Sequence, residues 1–120
     1  MLPLNVQTGD AGAPEATNAR QFAPVASDTV NAFALAANTS ERQSIPAGAR
    51  YAAFSTSAVS PVDFVAKFGD GTATAAIPAA DITDGSGAPL NPAIRRIPAG
   101  ATHLALCASA ATTITVEFWN

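Results

Sequence analysis

The residues able to do chemistry in this chain are few and dispersed. His103 is the only histidine and Cys107 the only cysteine. Their four-residue spacing puts both side chains on one face of an extended strand but some distance apart, so a thiolate–imidazole pair is not expected. One His and one Cys fall short of the ligand set a zinc site needs. A half-buried strand histidine and a small buried thiol are the expectation. The carboxylates Asp63, Asp70, Asp81 and Asp84 fall in or near turns. Asp81-Ile82-Thr83-Asp84-Gly85-Ser86-Gly87 has the composition of a calcium loop without its alternating Asx ligands or its terminal Glu. Phe68-Gly69-Asp70-Gly71 is followed by Thr72-Ala73, not by the Lys-Ser/Thr of a phosphate loop. No Gly-x-Ser-x-Gly occurs, and no carboxylate pair stands out as acid and base. No enzyme, cofactor or metal is expected.

What remains is the chemistry of contact. Tyr51, Phe22 and Trp119 are residues that a sugar-binding platform would use, although aromatics serve core and interface packing more often. Arg95-Arg96 is the only adjacent basic pair in a chain of formal net charge −3, which argues against nucleic acid as a partner. The candidate partner contacts are therefore Phe22, Tyr51, Arg95, Arg96 and Trp119.

The elements that must position these residues are written twice. Ile45-Pro46-Ala47-Gly48-Ala49-Arg50-Tyr51 returns as Ile97-Pro98-Ala99-Gly100-Ala101-Thr102-His103, 52 residues later. In each copy Pro46 or Pro98 ends a pairing and Gly48 or Gly100 permits the bend, so these four are turn and scaffold residues. Each copy leads into an alternating strand, and each is followed by a second: Val62–Phe68 with Phe64, Ala66 and Phe68 on one face, and Thr113–Asn120 with Ile114, Val116 and Phe118 on one face. Two related turn-hairpin units, 45–68 and 97–119, are expected, one in each of two sheets. The last strand ends the chain and is free to pair with any nearby edge. Asp28–Ala37 reads as a further strand, Gly69-Asp70-Gly71 as a turn, and Thr72–Ala76 as a returning strand. Residues 77–93, with three prolines and two glycines, read as a long irregular loop of the kind that carries contacts. Residues 1–27 hold no period and read as an extended arm, disordered or lying on a neighbour.

Prolines from end to end, β-branched runs and closely spaced turns define an all-β fold: a β-sandwich, jelly-roll-like, of about seven to eight short strands over residues 28–120 with the arm in front. Charged residues make up only 12% of the chain, and large apolar side chains are scarce beside alanine. A thin core and a surface packed against copies of itself or a partner are expected. Met1–Asn5 has no secretory character, no run approaches a membrane span, and a single cysteine fits a reducing cytoplasm.

The phrases Ile45–Tyr51, Phe64-Val65-Ala66-Lys67-Phe68-Gly69, Ile97–Ala101 and Val116-Glu117-Phe118-Trp119-Asn120 resemble the small β-rich proteins encoded among the head genes of tailed bacteriophages and prophages. The resemblance covers residues 28–120. It implies a capsid decoration (auxiliary head) protein that binds the major capsid protein on the virion exterior, assembles as a homotrimer, and is made in the host bacterial cytoplasm. The alternatives are a receptor- or carbohydrate-binding module of a phage fibre or spike, and a head–tail or tail structural subunit.

Overall fold

The structure, a computed structural model, describes residues 25–120. Phe22 and most of the expected arm 1–27 lie outside the described residues. Seven strands are formed: β1 (Thr29–Leu35), β2 (Glu41–Ser44), β3 (Tyr51–Ser55), β4 (Phe64–Gly69), β5 (Ile94–Arg96), β6 (His103–Ala108) and β7 (Thr112–Trp119). The chain is all-β. The strongest strand is β7, whose β-branched residues alternate with burial at every second position, the pattern of a strand with one face on a core.

The strands form two antiparallel sheets, β1-β7-β3-β5 and β2-β6-β4. One path explains every pairing. The first half of the chain runs against the second, so that β1 pairs with β7, β2 with β6, and β3 with β5. The fourth pair is rudimentary, a bridge between Val65 of β4 and Leu90. This long ladder then rolls up, bringing β7 beside β3 and β6 beside β4. The result is the jelly roll, a double-sheet sandwich, with its eighth strand shrunk to the segment around Leu90.

The repeated phrase marks a pseudo-twofold axis within this roll. Tyr51 pairs with Trp119 and Phe54 with Val116 in one sheet, as His103 pairs with Gly69 and Leu106 with Ala66 in the other. The hydrogen bonds repeat too: Arg50 N donates to Trp119 O at 2.7 Å and Thr102 N to Gly69 O at 2.8 Å, while Ile97 N donates to Arg50 O at 2.7 Å and Ile45 N to Thr102 O at 2.9 Å. Both turns close alike, with Ala49 N on Pro46 O at 3.2 Å and Ala101 N on Pro98 O at 3.1 Å. Gly48 and Gly100 take the same left-handed backbone, at φ 82° and 86°.

Two sequence expectations are corrected by this topology. The units 45–68 and 97–119 are not hairpins, because β3 and β4 lie in different sheets, as do β6 and β7. Each unit is an arch across the sandwich, and its strands pair with those of the other unit. The last strand does find partners, and finds two: β7 pairs with β1 on one side and β3 on the other. Thr72–Ala76 forms no strand. No neighbouring strand supplies its hydrogen bonds, and side chains do so instead: Arg42 Nη1 donates to Ala73 O at 3.0 Å and Ala75 N donates to Ser40 Oγ at 3.1 Å. Two short strands escape the sequence pattern, β2 and β5.

The scarce large side chains are turned inward. Phe33, Phe54, Phe64, Phe118, Leu104, Leu106, Ile114 and Val116 form the main core between the sheets, with Phe54 and Phe64 ring centroids 5.9 Å apart. A second, smaller cluster lies on the outside of the β2-β6-β4 sheet, where Ala75 of the 70–93 loop covers Val65, Ala105 and Cys107. The long loop is thus a lid for one sheet.

Candidate interaction face

Among the described residues, nothing comparable covers the outside of the other sheet. There the antiparallel register lines up side chains in rows across β1, β7, β3 and β5. One row runs Trp119, Tyr51, Arg96, and the next runs Val30, Glu117, Ala53, Ile94. Tyr51 is 41% exposed, and Val30 and Ile94 are each 58% exposed. Small exposed residues, Ala32, Ala34 and Ser55, share the face with Thr113 and Thr115 of β7. A flat, nearly uncharged surface with Trp, Tyr and Arg side by side has the residue types in which contact energy concentrates at interfaces. Directly opposed residues of paired strands hold their Cβ atoms about 5 Å apart, so Tyr51 and Trp119 can act together on one ligand.

The row is held rigidly. Trp119 Nε1 donates to Val25 O at 2.9 Å, Asn120 N to Asp28 Oδ2 at 2.8 Å, and Asp28 N to Phe118 O at 2.8 Å. These bonds clamp the C-terminal end of β7 to residues 25–28. The two Pro-Ala-Gly turns adjoin the row. Pro98 and Gly100 of one, with Ala49 beside Gly48 of the other, line a cleft of about 440 Å³ that also takes in Arg50 and Arg96.

The structure thus brings together three of the candidate partner contacts, Tyr51, Arg96 and Trp119. It separates Arg95 from them: Arg95 pairs with buried Ala52 and so stands on the opposite face of β5. Val30 and Ile94 were not singled out by sequence. Each follows a residue of opposite face in a short run, and only the register reveals that they flank the aromatic row.

Other polar residues serve the scaffold. His103 Nδ1 lies 2.9 Å from Thr102 Oγ1 and its Nε2 lies 3.4 Å from Ser44 Oγ, on the side of β6 that also carries buried Cys107. Asp70 Oδ1 accepts Thr72 Oγ1 at 2.6 Å and Thr72 N at 2.8 Å. Asp84 Oδ1 accepts Ser86 Oγ at 2.6 Å and Ser86 N at 3.0 Å. These bonds hold each carboxyl below the ordinary 3.8, the side-chain hydroxyl being the largest cause in both. Asp63 Oδ1 accepts Asn91 Nδ2 at 2.9 Å, and Asn91 Oδ1 accepts Phe64 N at 2.9 Å. Asn91 adopts a left-handed φ of 49° there, a conformation its short amide tolerates better than most side chains. Among the described residues, no three His, Cys, Asp or Glu side chains come together as a metal site, and no helix is long and apolar enough to cross a membrane. Comparisons with protein-family models, with curated proteins and with solved structures find no match to this chain.

Proposed function

We propose that this chain is a structural virion protein that self-assembles, as a trimer, and decorates an assembled phage capsid, with the Trp119–Tyr51–Arg96 face against the major capsid protein. The observation that carries the reading is the asymmetry of the sandwich among the described residues: one sheet is covered by the 70–93 loop, and the other presents an uncovered, low-charge face centred on Trp, Tyr and Arg. The jelly roll itself occurs in viral capsid and lectin domains alike, so the fold is compatible with the reading without selecting it. A protein of this kind stabilises a shell by mass action, binding the lattice and not its dissociated parts. Many symmetric sites multiply a modest energy per site. The test is to add purified protein to bare capsids and measure co-sedimentation and the temperature at which DNA is released. Binding with a raised release temperature is expected; no co-sedimentation and no shift would contradict the proposal. Native mass spectrometry of the free protein separates a trimer from the sixfold or twelvefold ring of a head–tail or tail subunit.

A second reading draws on one observation. Tyr51 and Trp119 are directly opposed on neighbouring strands, the spacing at which two aromatic side chains can share one sugar. On a glycan array, clear binding lost in Tyr51→Ala would favour a carbohydrate-binding module of a fibre or spike, and silence favours decoration.

A further inference from the structure

The two lateral sides of the sandwich differ. Where β1 lies over β2, the sheets are tied by Gln43 Nε2 donating to Ala32 O at 2.8 Å. Where β5 lies beside the Leu90 segment, the side is open onto apolar surface. A groove of about 230 Å³ runs there, lined by Phe68, Pro92 and Pro98 together with Lys67, Arg95 and Arg96. Arg95 is an inward-turned charge on a three-residue edge strand, a device that discourages pairing with another edge. Arg95 Nη1 donates to the carbonyl of its own neighbour, Ile94 O, at 2.9 Å. Among the described residues, no Asp or Glu lines the groove. In a chain of net charge −3 with six basic residues, three of those six meet at this one opening.

A segment that fits such a groove carries an aliphatic side chain flanked by carboxylates. Asp81-Ile82-Thr83-Asp84, at the crest of the long loop, has this chemistry. Ile82 is 46% exposed, and Asp81 and Asp84 flank it in sequence. The exposed Val25, Val59, Leu90 and Ile94 have no Asp or Glu within two residues, and the Asp28 near Val30 already accepts Asn120 N. On its own chain the loop is anchored on the other side of Lys67, whose Nζ donates to Ser86 O at 3.0 Å. Ile82 there lines a separate cleft with Lys67 and Ala75.

We propose that the Asp81–Asp84 loop of one copy seats Ile82 in the β5 groove of a second copy, with Asp81 against Arg95. A loop-to-groove contact joins two different surfaces, and repeated by every copy it builds a ring when the rotation between copies closes and an open filament when it does not. The proposal deepens the self-assembly part of the reading above and is independent of what the ring binds.

The test is sedimentation velocity and native mass spectrometry of the full chain with no capsid present. The wild-type chain assembles. Ile82→Asp weakens association about ten- to a hundredfold, the effect of losing one buried aliphatic anchor. Asp81→Arg and Arg95→Asp each weaken it by about two- to fivefold, as exposed charges do, and the double variant Asp81→Arg/Arg95→Asp recovers the wild-type assembly. A wild-type chain that stays monomeric, an Ile82→Asp variant that assembles like the wild type, or a double variant no better than either single one would overturn the contact. Ile82 belongs to neither core cluster, so an unchanged unfolding midpoint shows that Ile82→Asp still folds. Capsid co-sedimentation, scored separately, judges the decoration reading whatever the outcome for the contact.

Discussion

At the scale of single residues, the turn glycines illustrate how local conformation is dictated. A Cβ at Gly100 would meet nothing within 4 Å, yet φ there is 86°. Gly100→Ala should therefore lower stability by about 1 kcal/mol through backbone strain alone. Gly87→Ala, which has neither a positive φ nor a closer neighbour than Ile82 Cδ1 at 4.0 Å, should be near neutral; urea unfolding of both variants checks the contrast. The twin Asp-Gly-Thr and Asp-Gly-Ser turns make a pH prediction. Their carboxyls are held below 3.8 by hydroxyl and amide donors, so the folded chain prefers the ionised forms. The stability they lend is present above that value and is lost as pH falls through the lowered folded values. Proton titration followed by NMR should show Asp70 and Asp84 titrating below 3.8, and Thr72→Ala and Ser86→Ala should move them up. That Asp70 and Asp84 stand in turns was legible from the glycine beside each; which hydroxyl each accepts was not. Nor was the closeness of Tyr51 to Trp119, since 68 positions separate them and register alone joins them.

At the scale of elements, alternation located the strands that bury a face and missed those that do not. Ile114, Val116 and Phe118 announce β7, and Leu104, Leu106 and Ala108 announce β6, because each strand has a core side. Glu41-Arg42-Gln43-Ser44 has no apolar residue and Ile94-Arg95-Arg96 only one. Both are edge strands held by a single neighbour, and neither carries a periodic signal. Their common place just before an Ile-Pro-Ala-Gly turn was the available clue. The arches were misread as hairpins because a repeat fixes which strands are alike and leaves open which of them pair. The loop over the β2-β6-β4 sheet is the element most open to test. Its backbone is tethered by Ser40 and Arg42 side chains, and it covers Cys107, which is 2% exposed. Ser40→Ala or Arg42→Ala should speed modification of the Cys107 thiol at neutral pH by roughly fivefold, the effect of one hydrogen bond of about 1 kcal/mol on a local opening. The global unfolding midpoint should move little. Equal shifts in both would mean that the loop opens only with the whole fold.

At the scale of the molecule, the pseudo-twofold roll is symmetric in its strands and asymmetric in its surfaces. One sheet wears the 70–93 loop; the other is bare among the described residues. One lateral side is tied by Gln43; the other opens at Arg95. The symmetric part was legible in the doubled phrase, since turn and strand signals are local. The asymmetric part was not, because it depends on where a loop without periodicity comes to rest. That asymmetry is the ground for reading the chain as a contact protein with separate surfaces for a shell and for its own copies. The most direct measurement compares co-sedimentation with bare capsids for the wild type and for Tyr51→Ala/Trp119→Ala, both first shown to be folded. The wild type should pellet with the capsids and the double variant should stay in the supernatant. A wild type that does not pellet, or a double variant that pellets equally, would contradict the account.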